Sequence, residues 1–488
     1  MNVLVVVSKP ADWPLEMPGV EVVSTKQYLT DPAFARTRGT KVFNLAKSYR
    51  YQSLGYYVSL LAAARGHRPL PSASAIQEMK SITIARIVSE DIQGLIDKDL
   101  NSLKSSEFTL SIYFGRNVAK KHDKLARYLF NEFEAPLLRA FFQREAEHWV
   151  LAHVSPIPAS EIPEGHREFV LEAAREFFTT RRHAAHKKQK ARFNVAILHD
   201  PDERESPSNA RALDKFVKAG ESLDLDVDLI EKDDYGRVAE FDALFIRETT
   251  AVNHHTFRFS QRAAAEGLVV IDDPESILRC TNKVFLTEAL GRLKLPTPKT
   301  LVVHKDNLST VGEALGFPCI LKQPDSAFSQ GVLKVRDQGE LDAACDKLLE
   351  RSELVIAQAW LPTTFDWRIG VFAGEALFAC KYFMAPKHWQ IIQRDGAGKP
   401  NYGRSETIPV ELAPRKLVRL AEKAAAAMGD GLYGVDIKEA DGQYFVIEVN
   451  DNPNIDAGVE DATLKDKLYL TIMRGFLERI ERVKAALR

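Results

Sequence analysis

GLYGVDIKEADGQYFVIEVNDNPNIDAG, residues 431–458, reads as two β-strands joined by a tight turn at Asp441-Gly442. Asp436 lies on the first strand, and Glu448 and Asn450 lie on the second. Side chains two apart on a strand share a face, so the turn can bring Asp436 across from Glu448 with Asn450 beside it. The set offers hard oxygen donors without histidine or cysteine, a combination that suits Mg²⁺. Opposed buried acids repel and take up protons, a conflict that a divalent ion would relieve. A solvated hairpin edge accounts for the same residues equally well.

Outward from this hairpin, residues 281–488 read as an extended α+β region. Strands are expected in KTLVVH, FPCILKQ, LVIAQAW and WRIGVFAGEALFACKYF. Helical spacing marks 308–316, 338–350, 412–428 and 462–486. Lys283 and Lys322 add positive charge, the second inside the apolar strand CILKQ, where an ammonium needs an anionic partner. The polar segment QPDSAFSQG, 323–331, could fold over phosphates, and a plain hairpin connection explains its composition too.

Residues 190–280 carry short apolar strands, FNVAILHD, VDLI, FDALFIRE and LVVIDD, separated by helical segments and turning polar at their carboxyl ends. That is the pattern of a small doubly wound α/β domain, whose ligands approach the carboxyl ends of strands. His199 and Arg247 stand at such ends as candidate substrate-facing residues, and each has an equally good structural explanation.

Residues 1–189 open with strands at Val3–Val7 and Val20–Val23, a βα-type beginning, and a helix is expected to stop at Gly66. Tyr49, Arg50, Tyr51 and Tyr56 read either as a polar groove or as a tyrosine-rich packing face. Residues 121–186 read as mainly helical from the three- and four-residue spacing of Leu125, Leu129, Phe133, Leu137, Leu138, Phe141 and Phe142. The basic run RRHAAHKKQK, 181–190, reads as a solvated helix end and linker, placing a boundary near 189.

The 488 residues exceed one ordinary domain, and 45% hydrophobic with 27% charged residues excludes a largely disordered chain. A formal charge of -1 gives no overall case for a nucleic-acid or membrane-surface partner. Cys280, Cys319, Cys345 and Cys380 lack metal-binding spacing and read as inert reduced thiols. The initial apolar run lacks the features of a signal peptide, and no stretch is long enough to cross a bilayer, so the expected location is the cytoplasm.

Six stretches carry a resemblance: TNKVFLTEAL, FPCILKQP, VIAQAWL, DWRIGVFAGE, GVDI and FVIEVNDNPNIDAG. Across about 192–475 the chain resembles the ATP-grasp ligases, most closely the RimK-like branch, which joins amino acids or peptides through an acyl phosphate. The resemblance implies a multidomain α/β and α+β protein: an accessory α/β domain at 1–189, a small α/β domain at 190–280 and the ATP-grasp domain at 281–488. It implies ATP and Mg²⁺ as cofactors, with two ions and with Mn²⁺ as a substitute. Lys283 and Lys322 would contact phosphates, and Gln358, Ala359, Trp360 and Leu361 would line the adenine site. Asp436, Glu448 and Asn450 match the family's Mg²⁺ ligands. Arg368 matches an arginine at the acyl-phosphate end, Asn401 and Arg404 match transition-state or substrate contacts, Lys381 serves the same anionic region, and Arg247 resembles an arginine that meets the carboxylate substrate.

The implied activity is ATP-dependent amide or peptide bond formation on amino acids or short peptides, with glutamate-like substrates favoured. A carrier or protein substrate and a homo-oligomeric assembly are further expectations, with no nucleic acid and no membrane. A phosphate-transfer enzyme of the same fold and a non-catalytic nucleotide-binding regulator are the alternatives. Two departures stand out. The loop at 323–331 has only Gly331 where relatives have a glycine-rich cover, and residues 1–189 resemble an extra domain found on a subset of RimK-like proteins.

Overall fold

The computed structural model describes residues 3–37, 40–145, 148–185, 191–325, 331–350, 352–386, 388–394 and 400–486. It divides into two compact units, one of Met1–Gln189 with Asp234–Glu240, the other of Lys190–Asp233 with Phe241–Arg488.

In the first unit, strands β1 (Val3–Val7), β2 (Val20–Ser24), β3 (Lys41–Leu45) and β4 (Arg68–Leu70) form a parallel sheet in the order β2-β1-β3-β4. The helix Leu54–Ala64 starts where Ser53 Oγ accepts a hydrogen bond from the Tyr56 amide, and the chain leaves it through Gly66 at φ +69°. Tyr49 is buried, its hydroxyl donating to the Asn44 carbonyl, whereas Tyr51 is exposed with its ring against Tyr56, so the tyrosines split between core and surface.

The helical expectation for 121–186 is corrected in its middle. Helices cover Asp123–Phe133 and Arg167–Ala185, but between them lie the antiparallel strands β6 (Leu137–Glu145) and β7 (His148–Pro156), with β6 also pairing with β5 (Glu107–Tyr113). Glu134, at φ +49°, ends the first helix. The doublets Leu137-Leu138 and Phe141-Phe142 imitated helical spacing because this strand has apolar neighbours on both faces. Leu137 enters one core while Leu138, Ala140 and Phe142 enter another. Residues 186–190 of the basic run lie outside the described residues.

The second unit begins with a parallel sheet of β8 (Phe193–Leu198), β9 (Leu225–Ile230), β10 (Ala243–Ile246) and β11 (Val269–Ile271), ordered β11-β10-β8-β9. The direction of winding reverses between β8 and β10, which makes their carboxyl ends a topological switch point. Two antiparallel sheets follow. The first contains β12 (Thr300–Val303), β13 (Cys319–Lys322), β14 (Val332–Val335) and β15 (Val355–Ala359), in the order β12-β15-β13-β14. The second contains β16 (Phe365–Phe372), β17 (Glu375–Phe383), β20 (Ser405–Ile408), β21 (Leu432–Ala440) and β22 (Gln443–Asp451), in the order β20-β17-β16-β21-β22, after the small pair β18 (Ile392–Arg394) and β19 (Pro400–Tyr402).

One face of the five-stranded sheet is apolar. Trp367, Ile369, Ala379, Val435, Ile437, Val446 and Val449 bury themselves against the helices Lys283–Arg292 and Arg415–Ala426. Alternation then turns the polar residues between them toward the other face. The closing helix Asp466–Ala486 packs with the helix Ala210–Glu221 through Phe216, Tyr469, Met473 and Phe476. All four cysteines are free and buried, and burial raises their thiols, in keeping with inert packing residues. Among the described residues no helix is long and apolar enough to cross a membrane.

Candidate functional site

The turn between β21 and β22 places Asp441 at φ +51° and Gly442 at φ +72°, the backbone signature of a tight hairpin turn. A plain two-residue turn continues the pairing Ala440 with Gln443 down to Ile437 with Val446, and would next set Asp436 opposite Ile447. A β-bulge intervenes after Asp436, so that Asp436 pairs with Glu448 and Gly434 with Asn450. Arg368 lies across from Asp436 on β16. The four side chains thus share the sheet face opposite the apolar core.

Their electrostatics are resolved by cations. Arg368 grips Asp436 with two parallel bonds, Nε to Oδ1 and Nη2 to Oδ2, the latter 2.8 Å long. Asn450 Nδ2 donates to Asp436 Oδ2 at 3.1 Å. Gly434 leaves room for this arrangement, since a Cβ there would stand 2.7 Å from Pro453 Cβ and 3.0 Å from Arg368 Cδ. Burial pushes the Asp436 carboxyl above its ordinary range despite Arg368. Glu448 receives Lys283 Nζ at 2.9 Å; burial would raise its carboxyl, but Lys283 and Lys322 together hold it below the ordinary range. The repulsion between facing acids is therefore already offset by protein cations, and needs no ion to explain it.

Lys283 is the first residue of its helix, fixed there by Asn282, whose side chain accepts from the amides of Val284 and Phe285. Lys322 ends β13 and is 8% exposed. Burial lowers its ammonium to about 8; Glu448 opposes the shift, while Lys283 and Lys438 add to it. Among the described residues Lys322 has no carboxylate in ion-pair contact, whereas Lys283 has Glu448, Arg368 has Asp436 and Lys438 has Asp366 at 2.6 Å. A buried, undercompensated ammonium among further cations is the setting in which an anion is most strongly attracted. The adjacent oxygens of Asp436, Glu448 and Asn450 suit a hard divalent cation, so this donor set fits a Mg²⁺–polyphosphate group.

Gln358 and Ala359 end β15, with Gln358 buried and donating from Nε2 to Thr300 Oγ1 at 3.0 Å. The Ala359 amide donates to the Lys299 carbonyl. Trp360 packs edge-on against Trp389, and Lys334 Nζ sits 3.7 Å from the centre of its ring. Leu361 follows, partly buried.

Four of the expected site residues lie apart from the Asp436–Glu448 sheet face. Lys381 pairs with Trp367, not with Arg368, so alternation carries it to the opposite face, where its ammonium lies 5.2 Å from the Trp367 ring and 3.7 Å from Glu406. Arg404 is exposed with its guanidinium 3.9 Å over the Phe383 ring, and Asn401 is exposed too; neither contacts the cleft residues among the described residues. Arg247 is fully buried. It donates to Ser208 Oγ at 3.0 Å, Asn452 Oδ1 at 2.6 Å, and the carbonyls of Pro207 and Pro453 at 2.5 and 2.8 Å. Burial lowers its pKa to about 10. It pins the turn that follows Glu448 and Asn450 to the parallel sheet. Residues 326–330 of the expected phosphate-covering loop lie outside the described residues.

The sequence reading missed Asp366, Lys438 and Tyr382, which share the polar face. Lys438 donates to Thr363 and Asp366, and Tyr382 donates to Glu460. Lys438 is two residues beyond Asp436, so strand alternation alone could have found it.

A parallel sheet with a switch point, followed by two antiparallel sheets that bring buried lysines toward paired carboxylates, defines an ATP-grasp protein. Residues 25–173 match the RimK-like ATP-grasp N-terminal domain and residues 280–467 match the RimK-like ATP-grasp domain. The chain belongs to the RimK-like ATP-grasp family. It is similar to the alpha-aminoadipate–LysW ligase LysX of Saccharolobus solfataricus, 27% identical over 38% of this chain and 67% of that protein. It is also similar to the D-alanine–D-alanine ligase of Neisseria gonorrhoeae, 29% identical over 41% of this chain and 65% of that protein, and to the tetrahydromethanopterin:alpha-L-glutamate ligase of Methanosarcina acetivorans, 26% identical over 41% and 64%. The chain thus spans about two thirds of the length of these relatives. Among solved structures, the D-alanine–D-alanine ligase of Bacillus anthracis complexed with ATP aligns with 60% of this chain and 99% of its own, at TM-score 0.46 and 16% identity.

Proposed function

We propose that this protein is an ATP-dependent carboxylate-amine ligase that forms an amide or peptide bond on an amino acid or short peptide through an acyl phosphate. The observation that carries the proposal is the cleft in which buried Lys322 and Lys283 approach the Asp436, Glu448 and Asn450 face. Membership of the family and the names of three ligase relatives support the same reading.

In this reading Lys283 and Lys322 neutralise ATP phosphates, and Gln358, Ala359, Trp360 and Leu361 border the base. Asp436, Glu448 and Asn450 hold Mg²⁺, two ions with Mn²⁺ as an acceptable substitute; bound there, the metal offsets phosphate charge and orients the phosphoryl group. Arg368 is shared between Asp436 and the transferring phosphoryl group, where its planar fork suits phosphate oxygens. The substrate carboxylate attacks the γ-phosphorus with release of ADP, and an amine then attacks the acyl carbon, releasing phosphate. No side chain of the protein becomes covalently modified. Catalysis rests on positioning and fixed charge. Arg247 acts as a positioning residue behind the turn at Asn452.

Glutamate-like acids are the favoured substrates, and a carrier protein is an accessible amine or acid partner. The division into 1–189, 190–280 and 281–488, a cytoplasmic location and a homo-oligomeric state complete the proposal. The test incubates the protein with ATP, Mg²⁺ and pools of amino acids and short peptides, followed by mass spectrometry. A new mass equal to two components less water supports the ligase. A phosphorylated product alone indicates phosphate transfer, and an absence of ATP consumption across a broad pool indicates a binding protein.

A further inference from the structure

A second constellation, sharing no residue with the carboxylate–lysine cleft, lies at the switch point of the parallel sheet. Glu248 lies two residues beyond the end of β10, and His254 and His255 begin the helix that follows, His255–Ala265. The Glu248 side chain is 4% exposed. Its Oε1 is 2.6 Å from His255 Nε2 and 4.0 Å from His254 Nε2, and one ligand atom from each residue falls within 4.8 Å of the others. Among the described residues Glu248 Oε2 is buried without a hydrogen-bond partner, while the buried His255 Nε2 meets only the other oxygen of the same carboxylate. A carboxylate oxygen seldom remains unsatisfied in a protein interior unless a ligand completes it.

The surroundings favour a cation. His254 Nδ1 is 3.1 Å from Thr256 Oγ1, an outer hydrogen bond that fixes the ring and presents Nε2 toward Glu248. Asp200, beyond the end of β8, and Glu203 add negative potential around the group, since both interact with its members, and Lys232 opposes them in part at His254. The Glu248 carbonyl accepts Asn452 Nδ2 at 2.6 Å, which fixes the backbone of the cluster.

We propose that Glu248, His254 and His255 form a binding site for a divalent transition-metal ion of the zinc class, separate from the Mg²⁺ donor set. Two imidazoles and one carboxylate are a ligand set for such an ion, with at least one position left open. Ligand atoms around zinc stand about 3.4 Å apart given bonds of about 2.1 Å, a value that the observed 2.6 and 4.0 Å separations bracket. A small side-chain rotation equalises them. His254 is 41% exposed, so the open position is reachable by water or by an oxygen or amine of a substrate. The site does not depend on the ligase reading, because it uses none of the proposed ATP or Mg²⁺ residues.

The test uses the full-length protein, stripped with a chelator, returned to excess Mg²⁺ without nucleotide, and titrated with Co²⁺ followed by Zn²⁺. The expected result is one Co²⁺ per chain with the visible absorption of a low-coordinate site, displaced by Zn²⁺. His254→Asn and His255→Gln should each weaken binding by at least about tenfold, while Glu448→Gln leaves it unchanged. Zn²⁺ should also raise the melting temperature of the wild type more than that of His254→Asn at equal Zn²⁺, the partly exposed position of His254 making the substitution mild for the metal-free fold. Failure to bind either ion, or binding that both histidine variants leave unchanged, overturns the proposal. Because these readouts follow metal directly, they stand or fall separately from any loss of ATP-dependent synthesis.

Discussion

At the scale of single residues, charge compensation explains how an acidic sheet face survives burial and why it remains reactive. Asp436 and Glu448 each have a cation, but burial, only partly opposed by Glu448, lowers the Lys322 ammonium from its ordinary 10.5 to about 8. A depressed lysine favours the unfolded state below about pH 8, and that penalty fades as pH rises toward 10.5. For phosphate binding the sign is opposite: a bound phosphate favours the ammonium and raises its pKa. Affinity for MgADP should therefore be full below about pH 8 and fall as pH rises through that value. Calorimetric titration from neutral to alkaline pH checks this, with Lys322→Met expected to bind more weakly and to flatten the profile; an unaltered profile in the variant removes Lys322 from the phosphate site. Glu448→Gln should lower Mg²⁺-dependent turnover by about 10²-fold while the fold is kept, and wild-type turnover under limiting Mg²⁺ would refute the metal assignment.

At the scale of elements, the hairpin shows what the sequence could and could not reveal. Strand alternation and the Asp441-Gly442 turn made the acidic face legible, but counting through that turn pairs Asp436 with Ile447. The bulge corrects the phase, and nothing local in QYFVIEVN announces it. The same alternation rule, applied from Arg368 to its neighbour, excludes Lys381 from the face once the β16–β17 register is known. Arg247 illustrates a second limit: its position at a strand end was legible, but its four protein acceptors come from loops at 207–208 and 452–453 that are distant in sequence from each other. Arg247→Ala should consequently destabilise the protein by about 3–5 kcal/mol, read as a fall in the denaturant midpoint. A stable variant with only a raised substrate KM would restore the substrate-contact reading. Gly434→Ala should cost about 1–3 kcal/mol and reduce turnover, because its methyl group meets Pro453 and the Arg368 chain; unchanged activity would show that the Arg368 geometry has slack.

At the scale of the whole molecule, composition set the expectation of several domains and motif placement separated an ATP-using region from the residues before it. The helical expectation at 137–156 failed because the apolar doublets Leu137-Leu138 and Phe141-Phe142, spread over both faces of one strand, imitate the helical period. The second unit contains both the carboxylate–lysine cleft and the histidine–glutamate cluster. The ligase account is tested most directly by the stoichiometry of ADP release against a newly formed product, measured with ATP, Mg²⁺ and a pool of amino acids and peptides. The expected result is one ADP for each product whose mass is that of two pool components less water. ATP consumption that yields only phosphorylated compounds, with no condensed product, would contradict it.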